Sequence, residues 1–475
     1  MKNAKPVVCR HVQSLRSRLA LSTALATVAF FYGGRAAYAG ACVQNGPVGT
    51  YLCSGAEDIS DVTQNLTGGP LTVSTVDPSV SPPGFGLLSY FTKGNSFTLT
   101  GTGGISFTDN YASPITSYLR GVEAKNSVSG ALSVTTTGLV RAFNGDGVYA
   151  LNNAGTTDLT VSATEITGAV KGIIARNFGS GAISVTTTGQ ITGTTDDGIF
   201  ARNYNGTGLT ISAVDVSGNG FAANGITGVN TSGALSIATT GTVTGGNYGS
   251  GIITTNNGTD LTISVVSATG GSNGVFASNY GSGTTTITAS GVVAGTGYSG
   301  RGISTRNVAG GLTNITLNSG AAVSGNTYAI ADYDGNSTIT VNAGASVAGV
   351  ITLGGGSDDL IFDGGDFSAV SQFDGGTDSD SLTFRNVTGT VASSSITGME
   401  STVIGTGATL SFSDNQTPGN VTVTNGGTLN SLAGATLVNS GALDISNGGT
   451  LGLRTGSLFD NSAGTVNNNA GGVID

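Results

Sequence analysis

Over 475 residues the chain carries 80 glycines, no tryptophan and only 9% charged residues, too few Lys and Glu to dress the exposed faces of a helical protein. Its formal charge of −10 repels nucleic acid and anionic lipid, so neither is an expected partner. The single histidine, His11, lies in a segment expected to be removed, which excludes Ser-His-Asp and Cys-His catalysis and histidine-ligated zinc from the remainder.

Residues 1–39 form a distinct opening segment. Lys2, Lys5, Arg10, Arg16 and Arg18 make a basic head, Leu19 to Phe31 is mostly apolar, and Ala37-Tyr38-Ala39 precedes Gly40. This three-part pattern predicts a secretory signal peptide cleaved between Ala39 and Gly40. The apolar run is too short for a membrane anchor and is followed by Gly33, Gly34 and Arg35. Removal takes six of the 17 basic residues and none of the 27 acidic ones, leaving 11 against 27, a formal charge of −16. Cys9 leaves with the segment, and Cys42 and Cys53 remain. In an exported chain this even count predicts one disulfide between them.

Residues 40–129 are the least regular, with six prolines from Pro47 to Pro114, and are expected to form a cap and opening coils. Residues 130–349 repeat themselves about every 25 residues. One phase runs Gly130-Ala-Leu-Ser-Val-Thr-Thr-Thr-Gly138, Gly181-Ala-Ile-Ser-Val-Thr-Thr-Thr-Gly189 and Gly233-Ala-Leu-Ser-Ile-Ala-Thr-Thr-Gly241; the other includes Thr157-Asp-Leu-Thr-Val-Ser-Ala163 and Thr259-Asp-Leu-Thr-Ile-Ser-Val265. Residues 350–408 turn Asp/Gly-rich, and 409–475 carry shorter units such as Gly426-Gly-Thr-Leu429 and Gly448-Gly-Thr-Leu451. Each regular unit holds three apolar patches divided by turn residues. Three short strands per unit predict an all-β fold, a single-stranded parallel β-helix (β-solenoid) of roughly 17 or 18 coils, in preference to a β-propeller, whose blades need longer units.

Asn152, Asn177, Asn203, Asn230, Asn256, Asn279 and Asn307 close the third patch of successive units. They are expected at a turn position that tolerates left-handed backbone, with amides bonded from coil to coil. Upstream of each asparagine the strand period of two divides the side chains. Val148, Ala150, Ile173, Ala175, Ile199 and Ala201 share one face; the other holds Arg176, Arg202 and Arg306. A narrow aliphatic core cannot take unpaired guanidinium groups, so the arginine face must point outward. The same parity puts Tyr149, Ile174, Phe200, Ile253 and Phe276 outside, an exposed apolar stripe of the kind that marks a contact site. The candidate contact face is therefore Tyr149, Ile174, Arg176, Phe200, Arg202, Phe276 and Arg306.

Paired carboxylates occur at Asp196-Asp197 and Asp358-Asp359, but neighbours on a strand point to opposite sides, which does not suit glycosidase chemistry. Leu353-Gly-Gly-Gly-Ser-Asp-Asp-Leu-Ile361 and Gly375-Gly-Thr-Asp-Ser-Asp-Ser-Leu-Thr383 approach a calcium-binding nonapeptide. Their leucines are 22 residues apart, wider than tandem calcium turns. The preferred reading is solvated Asp-Gly turns and no cofactor; calcium at Asp358 and Asp380 is the alternative.

The basic signal up to Ala39, the pair Cys42 and Cys53, the Gly-Ala-Leu-Ser-Val-Thr-Thr-Thr-Gly coils, the Gly-Gly-Gly-Ser-Asp-Asp-Leu segment and the Asn-Gly-Gly-Thr-Leu units together resemble the passenger region of classical (type V) Gram-negative autotransporters. The resemblance is one of repeat style over most of residues 40–475. It implies a β-helical rod exported through the periplasm and outer membrane, then displayed at the cell surface or secreted. That family ends in a transmembrane β-barrel translocator, and residues 409–475 lack its alternating strands, so the expectation is either a truncated or partial passenger or one released or held by other means. The function expected is non-enzymatic adhesion, aggregation or biofilm contact with a host or neighbouring-cell surface protein or carbohydrate, or self-association. The alternative is a calcium-dependent polysaccharide-binding or polysaccharide-processing β-helix.

Overall fold

A computed structural model describes residues 41–54, 62–76, 97–110, 114–308 and 310–475. The signal segment and its cleavage point at Ala39 and Gly40 lie outside the described residues. The chain is nearly all strand, 58% against 1% helix, wound as a parallel β-solenoid of about 16 turns with coils about 25 residues apart. That is slightly fewer turns than the repeat count predicts; the early coils are longer than the regular unit, with Leu71 standing against Ile105 and Val62 against Phe97.

Three columns of strands make the walls, and each puts at least one aliphatic row inside. In the first column Val185, Ile211, Ile237, Ile263, Ile287, Ile315 and Ile339 stand directly above one another. In the second, Ile166, Ile191, Val216, Val243 and Ala268 do so. In the third the row is Val148, Ile173, Ile199, Ile226, Ile252, Val275, Ile303 and Ile330. All of these are essentially inaccessible to water. β-Branched side chains favour extended backbone and fill a pleated surface well, so local preference and core packing agree along the column.

A glycine precedes each third strand because the walls meet there. Gly147, Gly172, Gly198, Gly225 and Gly251 stack, and a Cβ on Gly225 would lie 2.6 Å from the carbonyl oxygen of Gly251 and collide with Val243. The repeated Gly-Ile and Gly-Val dipeptides from Gly121 to Gly302 thus mark the tightest corner of the regular coils; at Ala329 the position takes a methyl group.

At the N-terminal end Ala41–Gln44 pairs antiparallel with Thr50–Ser54, the only antiparallel strand pair among the described strands. Cys42 and Cys53 face each other in that register and are joined in a disulfide. Thr50–Ser54 continues in parallel onto Leu71–Val76, so the hairpin lies over the edge of the first coil. Toward the other end, register shifts fall between Ser346 and Ala348 and between Gly349 and Val350. Beyond them the core becomes aromatic, with Phe362 packed against Phe367, Phe373 and Phe384 at centroid distances of 5.8 to 5.9 Å. In the shorter terminal coils Asn425-Gly426 and Asn447-Gly448 turn the chain at φ values of 53° and 79°, then 50° and 79°, the left-handed pair that Asn-Gly accepts with little strain.

Candidate functional site

The asparagines closing the third strands are not in turns. Each is the last, extended residue of its strand, its side chain directed inward and fully or almost fully buried. None has a positive φ, which corrects the left-handed expectation. The register stacks them, and it adds Asn126 below Asn152. Asn177 Nδ2 donates to Asn203 Oδ1 (3.3 Å), Asn230 to Asn256 (3.0 Å) and Asn256 to Asn279 (3.1 Å). The same amide groups donate to carbonyl oxygens of the following turn, as Asn203 does to Gly208 (2.7 Å). A buried polar row is tolerable because every one of its amide donors reaches a backbone carbonyl, and those of Asn177, Asn230 and Asn256 reach the next rung as well. The ladder holds the third strand at constant height and fixes the orientation of the outward residues beside it.

Those outward residues stand where strand parity puts them. Tyr149, Ile174, Phe200, Thr227, Ile253 and Phe276 are in register on successive coils. Two residues further along, Arg176 pairs with Arg202, and Ser278 with Arg306. Ile174 departs from the expectation: although it points outward it is only 6% exposed. It sits between the rings of Tyr149 and Phe200, and these larger neighbours cover it. Tyr149, Phe200 and Phe276 are half-buried, and long cations lie over the first two. The guanidinium of Arg120 is 4.1 Å from the centre of the Tyr149 ring, and Arg176 is 5.2 Å from that of Phe200. These contacts follow from the negative face of an aromatic ring.

Sequence parity missed a second set of aromatic residues, in the turns after three of the asparagines and after Asp332. Phe178 stacks on Tyr204 of the next coil with centroids 3.9 Å apart, and Arg202, two residues before Tyr204 on the same coil, lies 4.2 Å over its ring. Tyr280 and Tyr333 follow, both exposed. The signal was present as the dipeptides Asn177-Phe178, Asn203-Tyr204 and Asn279-Tyr280. A search confined to strand residues cannot find it.

The charges on this face are unevenly compensated. Glu123, aligned with Tyr149, is bound by Arg120 and Lys125; burial opposes its ionisation, but those two cations hold its carboxyl below the ordinary value. Arg306 is paired with Asp334 at 2.8 Å. Phe276, Arg301, Arg306, Tyr333 and Asp334 together line an open hollow of about 450 Å³. Arg176 and Arg202, one coil apart, have no acidic partner among the described residues. The Nε atoms of both are shielded from water with no hydrogen-bond partner. The arrangement is thus an aromatic platform on which Arg176, Arg202 and Arg301 carry positive charge with no acidic partner among the described residues, on a chain of negative net charge.

The acidic candidates occupy other places. Asp196 and Asp197 lie in a corner rather than on a strand, and both approach Lys171 Nζ, at 2.5 and 3.4 Å, so the expected divergence of that pair does not occur. Asp358, Asp380 and Glu400 form a staircase: the backbone N–H of Ser337 donates to Asp358 (2.6 Å), that of Asp358 to Asp380 (2.9 Å) and that of Asp380 to Glu400 (2.7 Å). Asp358 and Asp380 are buried, not solvated turn residues as expected. The Oδ2 atoms of Asp332, Asp358 and Asp380 are shielded without a hydrogen-bond partner, a natural position for a proton. Burial, with neighbouring carboxylates adding to it, raises Asp332 to about 7 and Asp358 and Asp380 to about 6. Among the described residues no group of three or more His, Cys, Asp or Glu side chains is placed to hold a metal ion.

No protein-family model, curated protein or solved structure matches this chain.

Proposed function

We propose that this chain is the exported passenger of an autotransporter-type system and acts without catalysis, as a surface or secreted rod in adhesion or aggregation. The observation that carries the reading is the register of Tyr149, Phe200 and Phe276 with Arg176 and Arg202 on one outward face. A solenoid has no need of large apolar groups outside its core, and aromatic and arginine side chains dominate the energetics of protein contacts. The sequence resemblance supplies the route of export, and the partner is a protein or carbohydrate of another cell surface or a second copy of the rod. A calcium-dependent polysaccharide enzyme draws no support from Asp358 and Asp380, whose Oδ1 atoms accept backbone amides.

Adhesion and aggregation of cells displaying the chain tests the proposal. Phe200→Ser combined with Phe276→Ser should abolish the interaction while the strand-rich circular dichroism spectrum is kept. Unchanged cell contact by a correctly folded double variant refutes it.

A further inference from the structure

A second set of aromatic residues lies in the corner before the third strand. Phe221, Tyr248 and Tyr298 are 69%, 65% and 97% exposed. Phe221 and Tyr248 belong to adjacent coils, joined by a hydrogen bond from the Tyr248 N–H to the Phe221 carbonyl (2.8 Å), and their rings lie 4.5 Å apart at a tilt of 41°. The next coil carries only Gly271 and Ser272 at this place, and the coil after it carries Gly297 and Tyr298. The alignment is set by backbone bonds from Gly271 to Gly246 (3.0 Å) and from Gly297 to Gly271 (2.8 Å). Between Tyr248 and Tyr298 the surface drops to a floor of glycine, because a Cβ on Gly271 would overlap the carbonyl of Asn247. The result is an open hollow of about 690 Å³ lined by these three rings, Asn247, Ser272 and Ser299.

Two features restrict what fits. No charged residue lines the hollow, and none of its rings has a cation over it among the described residues, so its chemistry is that of a neutral, hydroxyl-rich, flat ligand. The repeat is also fixed: coils are spaced by about 4.8 Å. Tyr248 and Tyr298 therefore stand two coils, about 10 Å, apart along the axis. An extended β-1,4-linked pyranose chain advances by close to one coil spacing per sugar. Laid parallel to the axis, it would place successive rings over Phe221 and Tyr248, across the Ser272 floor and onto Tyr298, with Asn247, Ser272 and Ser299 beside its hydroxyls. The hollow has the volume of a small-ligand site.

We propose that the corner bearing Phe221, Tyr248 and Tyr298 binds a neutral β-1,4-linked glycan lying along the solenoid axis. The site is separate from the arginine-bearing face, and its existence does not depend on the adhesion reading. The test measures binding of the full chain to microcrystalline cellulose and to insoluble chitin, comparing wild type with Tyr248→Ala/Tyr298→Ala and with Tyr280→Ala as a control on the other aromatic row. The expected result is retention of wild type and of Tyr280→Ala on at least one polymer, unaffected by added sodium chloride, and at least about tenfold weaker binding by the double variant. Because Tyr298 is almost wholly exposed, Tyr298→Ala alone serves as a second variant that preserves the fold, with an intermediate loss expected. Failure of wild type to bind either polymer, equal binding by the double variant, or retention that salt abolishes would each overturn the proposal.

Discussion

Replacing Asn256 by alanine probes the buried amide ladder at its best-connected rung. Asn256 Nδ2 donates to Thr259 O (2.9 Å), Asp260 O (3.1 Å) and Asn279 Oδ1 (3.1 Å), and its Oδ1 accepts from Asn230 Nδ2 (3.0 Å) and the Gly258 N–H (3.3 Å). Most of these partners keep a second bond in the variant. Thr259 O still receives Asn279 Nδ2 (3.2 Å), Asp260 O the Leu235 N–H (2.9 Å) and Asn279 Oδ1 the Gly281 N–H (3.1 Å), while Asn230 Nδ2 still donates to Gly233 O (3.0 Å). The Gly258 N–H alone loses the partner it has. One orphaned donor costs about 1–3 kcal/mol and each bond lost from a still-satisfied partner a fraction of that, so Asn256→Ala should destabilise by about 3 kcal/mol. Asn257→Ala, one residue on and exposed, should stay within about 0.5 kcal/mol. Urea unfolding gives the totals. Because each coil touches only its neighbours, hydrogen exchange should accelerate over residues 226–285 and remain unchanged over 401–452. A loss under about 1 kcal/mol, or faster exchange spread evenly along the column, would refute the view that the amides hold the coils together locally.

Gly225→Ala should cost about 1–3 kcal/mol through overpacking against the Gly251 carbonyl and Val243; a midpoint of unfolding equal to wild type would show that the corner relaxes freely. The raised carboxyls predict a pH effect of definite sign. With Asp332 at about 7 and Asp358 and Asp380 at about 6, against an ordinary value of 3.8, the native state holds more protons than the unfolded chain across that window. Their contribution to stability therefore falls as pH rises from 3.8 through about 7 and is level above it. Glu123 and Asp414, held below their ordinary values, act in the opposite sense at lower pH, so the readout is a difference. Wild type should lose more in Tm between pH 5 and pH 8 than Asp332→Asn does, and equal losses would count against a protonated Asp332.

The column was legible from residue spacing because a solenoid is built from local, repeated contacts: alternation within each short patch determined which residues face inward, and the repeat length determined which stand above one another. The outward placement of Tyr149, Phe200 and Phe276 followed from the same parity, since an unpaired guanidinium two residues away cannot enter an aliphatic core. Tertiary structure alone decided how far that face stays open. Ile174 is covered by its neighbours on adjacent coils, and the cation resting on Tyr149 comes from Arg120, which no within-strand pattern connects to it. It also moved the asparagines from turns into the wall, where burial and stacking outweigh their local turn preference, and turned Asp358 and Asp380 inward to cap amides one coil below. The glycan-sized hollow was hidden for a related reason. Phe221, Tyr248 and Tyr298 lie in corners of unequal length, and only the winding of the chain brings those corners onto one line.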